Sequence, residues 1–383
     1  MRFALGGATV WSGDGTVIRD GVVVVDGRIE AVGQGPVPRG AAEVSARGRY
    51  VLPGLVDAHS HLGVHVSGLG GDGNDASEGS DPVTPEVRAL DAFYPFDPAI
   101  QGALAAGVTT ALVTPGSGNV LGGQSAVFRL AGHSAAAMVL RPPAGIKAAL
   151  GESPKGYGRQ QKAPMTRMGT AALLRQALLG AQAYVARAER AGGDAARLPE
   201  HDARAEALAP GVRRELPLRI HCHRTDDILT ALRIREEFDL DITLEHVTEG
   251  CLVAAEIAAA GVRCMVGPAF SGRYKVELAL KDMPNPVILY EAGVSVSLIT
   301  DHPVQQVETL PWSAAVAVRE GMPEQEALKA VSLNPARGAG VDERVGRLAV
   351  GKDADIAIWQ GHPFEIRSRV RRTYVADDLV HRA

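Results

Sequence analysis

Tyr50-Val51-Leu52-Pro53-Gly54-Leu55-Val56-Asp57-Ala58-His59-Ser60-His61 is an apolar run that ends on two histidines. Only the Pro53-Gly54 step interrupts Val51 to Val56, so the run predicts a buried strand. Side chains alternate along a strand, which turns His59 and His61 to one side and Ser60 to the other. Two imidazoles together at a strand's end can grip a metal ion. One such pair decides little, because buried histidines more often hydrogen-bond within a core. The reading depends on further ligands, each at the end of its own strand.

The 383 residues suit a large barrel with an accessory domain. A hydrophobic content of 46% supports a sizeable core. The formal charge is -4 and the basic residues are scattered, so no basic stripe marks a nucleic-acid surface. Three cysteines are too few for a disulfide framework and point to a reducing compartment. The N-terminus soon meets Gly6-Gly7, unlike a signal peptide, and no apolar stretch reaches membrane-spanning length. A cytoplasmic protein acting on a small molecule, with no membrane partner, is expected. A homo-oligomer is the expected assembly.

The chain ends share one texture. Ala8 to Trp11, Val22 to Val25 and Arg28 to Val32 read as strands, with Asp26-Gly27 as a hairpin turn. Asp355 to Trp359 and Arg372 to Val375 read as strands as well. Both termini are thus expected to build one small β-sandwich domain, residues 1–51 plus 341–383. Residues 52–340 alternate instead. Val108 to Thr114, Leu218 to His223, Ile242 to His246, Val262 to Val266 and Val294 to Thr300 are strand-like, with helical stretches such as Asp226 to Phe238 between them. Repeated strand–helix units predict a parallel sheet closed as a (β/α)8 TIM barrel. Two long loops, Gly63 to Asp81 and Glu152 to Thr170, follow predicted strand ends and read as lids.

Polar residues gather where barrel active sites lie, at the carboxyl ends of strands. His221 and His223 end one strand on a shared face, His246 ends the next, and Asp301 ends the last. Lys147 lies in Gly145-Ile146-Lys147-Ala148-Ala149-Leu150. Each residue alone has an ordinary structural explanation. Together with His59 and His61 they make a nitrogen and oxygen site suited to zinc or a similar divalent ion.

These motifs resemble the amidohydrolase superfamily of metal-dependent hydrolases. Pro53 to His61 resembles its first-strand signature. Ser332-Leu333-Asn334-Pro335-Ala336 and Gly351-Lys352-Asp353-Ala354-Asp355-Ile356 resemble its later motifs, in the expected order. Within the superfamily the chain is most similar to the branch of imidazolonepropionase and isoaspartyl dipeptidase. The resemblance implies that His59 and His61 hold the more buried metal and His221 and His246 a second. It makes Asp301 both a ligand and the general acid/base. Lys147 matches a lysine that is carboxylated in isoaspartyl dipeptidase and bridges two metals. Imidazolonepropionase uses one metal and no such lysine. The alternative is Lys147 bound to a substrate carboxylate beside a single metal, and Glu152 is another candidate bridge, so the number of ions, one or two, stays open. His223 either positions a ligand or contacts the substrate.

The implied reaction is attack by metal-activated hydroxide on a carbonyl or amidine carbon. Asp301 takes the water's proton and passes it to the leaving nitrogen. The substrate is expected to be small and to carry a carboxylate: a cyclic amide, an N-acyl amino acid or a dipeptide. Arg224, Arg273 and Lys275 are candidates to clamp the carboxylate. Gln124, in the glycine-rich run Gly118 to Gln124, could hydrogen-bond an amide. A heterocycle deaminase is the competing enzyme, which an aromatic content of 4% disfavours. A non-catalytic scaffold on the same fold is the reading from another class.

Overall fold

The computed structural model describes residues 2–160 and 162–383. Met1, in the N-terminal stretch, and Gln161, in the second long loop, lie outside the described residues. The chain opens with β1 (Phe3–Trp11), β2 (Val17–Asp26), β3 (Arg28–Gln34), β4 (Ala42–Ser45) and β5 (Tyr50–Pro53). The central strands are β6 (Leu55–Ser60), β7 (Val108–Val113), β8 (Leu121–Arg129) and β9 (Val139–Ala149). They continue with β10 (Leu218–Cys222), β11 (Ile242–His246), β12 (Arg263–Val266) and β13 (Val296–Leu298). The chain closes with β14 (Ile356–Trp359), β15 (Val370–Val375) and β16 (Asp378–Arg382).

The run from Tyr50 to His61 is not one strand. Tyr50–Pro53 joins the terminal sheet beside β1 and β14, and Leu55–Ser60 joins the central sheet beside β7. The chain changes sheets at Gly54. A Cβ there would lie 2.1 Å from Thr109 Oγ1, so only glycine lets the two layers approach this closely. The Pro-Gly step is therefore a crossing point rather than a flaw in a strand.

The terminal strands form one hydrogen-bonded sheet in the order β16-β15-β14-β5-β1-β2-β3, with β4 paired to β1. Both chain ends thus contribute, as expected. The sheet curls, because Phe3 of β1 stacks on Tyr374 of β15 with ring centres 4.9 Å apart. Leu5, Val23, Val51, Ile356 and Ile358 fill the core beneath it.

The central strands lie in sequence order from β6 to β13 and make a nearly closed barrel sheet. At its mouth the ends meet through backbone hydrogen bonds: Asp301 N donates to His59 O (3.1 Å) and His61 N to His302 O (2.9 Å). The purely parallel expectation fails at one strand. β8 runs antiparallel to both β7 and β9. A parallel return needs a crossover of about a dozen residues or more, and residues 114–120 are too few to supply one. The expected glycine-rich loop Gly118 to Gln124 consequently becomes the turn and the first residues of β8.

Helices cover the barrel. Asp97 caps Pro98–Ala105 through Ala99 N. Arg167–Ala191 and Thr225–Phe238 supply long apolar stripes. The two long loops are stitched together: Tyr157 Oη donates to Glu78 O and Asp81 O, both at 2.9 Å, and Asn119 Nδ2 donates to the same two carbonyls. No helix among the described residues is long and apolar enough to cross a membrane.

Candidate metal centre

Alternation along β10 sends Arg219 and His221 into the barrel, and His223 follows just beyond its end. Leu218, Ile220 and Cys222 face the helices. On β11 the same parity turns Thr243 and Glu245 inward, which would aim His246 outward. His246 instead adopts φ = +74°, which brings its ring to the mouth. Asp301 is also left-handed, at φ = +54°. Two non-glycine residues in this costly region sit at the candidate centre, where such strain concentrates.

The histidines converge. The His246 ring lies 4.7 Å from His59, 4.4 Å from His221 and 4.6 Å from His223, centre to centre. Asp301 Oδ1 lies 3.4 Å from His59 Nε2 and 3.2 Å from His61 Nε2. Lys147, fully buried, places Nζ 3.4 Å from His59 Nε2. The structure therefore brings together His59, His61, Lys147, His221, His223, His246 and Asp301.

Hydrogen bonds set which ring nitrogen is free. His59 Nδ1 lies 2.6 Å from Glu245 Oε2, His61 Nδ1 2.7 Å from Thr114 O and His246 Nδ1 3.1 Å from Gly267 O. A carboxylate and carbonyls only accept, so each Nδ1 carries the proton and each Nε2 keeps its lone pair. Nε2 of His221 and of His246 is buried with no hydrogen-bond partner among the described residues. Buried imidazole lone pairs facing a carboxylate fit a divalent cation and make little sense without one. Among the described residues, two groups have cation-binding spacing: His59, His246 and Asp301, and His221, His223 and His246.

The electrostatics agree. Burial pushes the Lys147 ammonium down to about 8, so about a tenth is free amine at neutral pH. Burial also pushes His221 down to about 4 and holds His223 and His246 well below the usual imidazole range. For Asp301, burial's upward push is outweighed by His246, His59 and His61, which hold the carboxyl well below its ordinary value.

A pH dependence follows. His221 and His302, both pushed to about 4 by burial, and His61, His223 and His246, also lowered, are neutral when folded. Once unfolded they protonate near 6.5. Their stabilisation is complete above that value and is lost as pH falls from it toward 4, at up to about 1.4 kcal/mol per pH unit per group. Asp57 works the other way. Burial raises it to about 6, giving stability present below 3.8 and lost as pH rises through 6. Asp227 and Asp355, also raised by burial, act in the same direction as Asp57, and the five histidines outweigh these three. The metal-free chain should need clearly less urea to unfold at about pH 5 than at neutrality, and equal midpoints would contradict these assignments.

A cavity of about 1010 Å³ opens over the centre, lined by His61, Ser117, Arg167, His221, Lys275 and Asp301 among others. The expected carboxylate clamps divide. Lys275 lines the cavity. Arg224 pairs with Asp226 at 3.0 Å, and Arg273 donates to Lys281 O at 2.7 Å, so neither lines it. Gln124 sits on β8 opposite Ile146, also outside the lining. His223 is held away from the cavity by Thr248 Oγ1 at 2.7 Å. Glu152 does line the cavity, but its Oε2 accepts from Glu277 N at 3.2 Å.

Four residues went unrecognised in the sequence. Arg219 and Glu245 form a fully buried ion pair at 3.0 Å behind His59. Their inward parity beside His221 and His246 was the available signal. Arg167 lines the cavity, with Nη2 buried and without a partner among the described residues. Glu277 is fully buried, 3.5 Å from His221 Nε2 and 3.7 Å from His223 Nε2. It lies in a loop with no periodic pattern to betray it.

Comparison with known proteins agrees with this architecture. Residues 177–380 match the model of the amidohydrolase family. The chain is 32% identical over 381 residues to amidohydrolase tasK of Hapsidospora irregularis, covering 93% of this chain but 38% of that protein. It therefore spans well under half the length of that relative. It is 28% identical over 372 residues to imidazolonepropionase of Cupriavidus taiwanensis, covering 90% of this chain and 85% of that one. The crystal structure of an amidohydrolase from Thermotoga maritima superposes with a TM-score of 0.96 at 39% identity, over 100% of both chains.

Proposed function

The chain belongs to the amidohydrolase family, and from that premise we propose that it hydrolyses a carbon–nitrogen bond in a small, carboxylate-bearing molecule. The observation that carries this reading is the convergence of lone-pair Nε2 atoms from His59 and His61 on Asp301, with their Nδ1 positions already occupied. His59, His61, Lys147, His221, His246 and Asp301 would hold the divalent cation or cations, zinc being the ion such a donor set suits. When bound there, the cation polarises a carbonyl and makes water acidic near neutral pH. Asp301 takes the water's proton and delivers it to the leaving nitrogen. The amine fraction of Lys147 suits capture of carbon dioxide as an anionic carbamate, the form able to bridge two cations. A mass gain of one carbon dioxide at Lys147 in protein kept in bicarbonate checks this.

The substrate's carboxylate is assigned to Arg167 and Lys275, which line the cavity together with Lys155, in place of Arg224 and Arg273. Arg167 is anchored by Asp227 at 3.0 Å, which fixes its guanidinium at the cavity wall. Arg167→Met should raise KM roughly 10- to 100-fold, the value of about 1.5–3 kcal/mol for a charge-assisted hydrogen bond. kcat should change little, and an unchanged KM would remove Arg167 from this role.

The function is tested with a panel of N-acyl amino acids, cyclic amides, dipeptides and amino-substituted heterocycles. Hydrolysis is expected to yield a carboxylate and an amine, to stop after chelation and to return with zinc. Ammonia release from the heterocycles alone would replace this reading with deamination. Turnover indifferent to chelation would end it.

A further inference from the structure

Glu277 has no part in the reaction above, yet its setting is unusual. Its side chain is fully buried, and Oε1 has no hydrogen-bond partner among the described residues. The carboxylate is aimed by a reciprocal clasp: Glu152 N donates to Glu277 Oε2 at 3.0 Å, and Glu277 N donates to Glu152 Oε2 at 3.2 Å. Gly151 makes room for it, since a Cβ there would meet Oε2 at 2.7 Å. The clasp leaves Oε1 facing His221 Nε2 at 3.5 Å and His223 Nε2 at 3.7 Å. Nδ1 of these histidines is already engaged, by Ser117 Oγ at 2.8 Å and Thr248 Oγ1 at 2.7 Å.

Direct bonds from protonated imidazoles to a carboxylate would draw the atoms to about 2.7–2.9 Å. The gaps here are wider. They come closer to another geometry. Nitrogen and oxygen ligands about 2.0–2.2 Å from one ion at tetrahedral corners lie about 3.3–3.6 Å from each other. Lys275 Nζ also comes within 3.6 Å of Oε1, and it donates to Ser153 Oγ. An ammonium supplies Oε1 with charge but does not satisfy Nε2 of His221.

We propose that Glu277, His221 and His223 hold a divalent cation, with Glu277 as its carboxylate ligand. This rests on the reading of the barrel mouth as a metal centre, and it gives the second cation an anionic ligand independent of Lys147. It also removes His223 from the substrate's reach and makes it a ligand. The loop after β12, which carries Lys275 to the cavity, then carries a metal ligand two residues later, so cation binding orders the loop that touches the substrate.

The test is titration of chelator-stripped protein with Co(II), followed by visible absorption and by metal analysis after gel filtration. The wild type should bind two equivalents. Glu277→Gln should lose one of them, or bind it at least tenfold more weakly, and keep the other. His61→Ala should show the converse loss. Lys275→Met should keep both. Thermal melts check folding, and Glu277→Asp, which keeps the charge but withdraws the oxygen, replaces Glu277→Gln if that variant does not fold. Two equivalents at wild-type affinity in the Glu277 variant overturn the proposal while leaving the metal centre intact. A single wild-type equivalent that vanishes in His61→Ala and survives in Glu277→Gln overturns it as well. A wild type that binds no cation overturns the metal centre itself.

Discussion

Asp301→Asn is expected to cut kcat by about 10²–10⁴-fold, the range for removing a positioned acid/base group. Asparagine has the same shape and can still accept a hydrogen bond through Oδ1, but it cannot take a proton from water or return one to nitrogen. Asp301 is well placed for both transfers. It lines the cavity, and its Oδ1 lies within 3.4 Å of Nε2 of both His59 and His61. Its carboxyl stays ionised through the working range, because His246, His59 and His61 outweigh the cost of burial. A carboxyl that favours ionisation holds a proton only briefly, which suits passing it on to a leaving nitrogen. The substitution also removes a charged cation ligand, so turnover must be measured at saturating metal and alongside metal content. Near wild-type turnover in fully loaded Asp301→Asn protein would remove Asp301 from the acid/base role.

The barrel and the places of its candidate ligands were legible because they follow local rules. Strands ending in His59, His221 and His246 carry their own periodicity, and strand ends are where barrel sites lie. What escaped depends on contacts between distant segments. Nothing local in Leu121–Arg129 reveals an antiparallel strand, since glycines at 122 and 123 weaken the strand signal and the short return from β7 decides its direction. Tyr50 to Ser60 reads as one strand because the change of sheet at Gly54 is imposed by Thr109, far along the chain. The same holds for the clamps. Arg224 and Arg273 had the right neighbourhood in sequence, but Asp226 and the carbonyl of Lys281 draw them aside. Arg167 lies in a segment that sequence marks only as a lid flowing into a helix. Glu277 becomes notable only when folding sets it against two histidines.

Arg219→Met is expected to cost about 3–5 kcal/mol of stability, the penalty for stripping the partner from a buried charge. Arg219 is fully buried and donates to Glu245 Oε2 at 3.3 Å, to Ala58 O at 2.6 Å and to Gly338 O at 3.1 Å. With its help, and that of His59, Glu245 is held near 2 although burial alone would raise it. Without Arg219, that carboxylate and two carbonyls lose their donor in the barrel interior. Urea unfolding at neutral pH reads the loss. The double substitution Arg219→Met, Glu245→Met removes both charges and should recover much of the stability, since apolar replacement of a whole buried pair is often neutral or better. Metal binding should not recover with it. Glu245 fixes the proton on His59 Nδ1 at 2.6 Å, and losing such an orienting partner weakens metal affinity about 10- to 100-fold. A double variant restored in stability but still weak for metal would show that the pair is retained to orient His59. A double variant as unstable as the single one would place its role in packing the barrel.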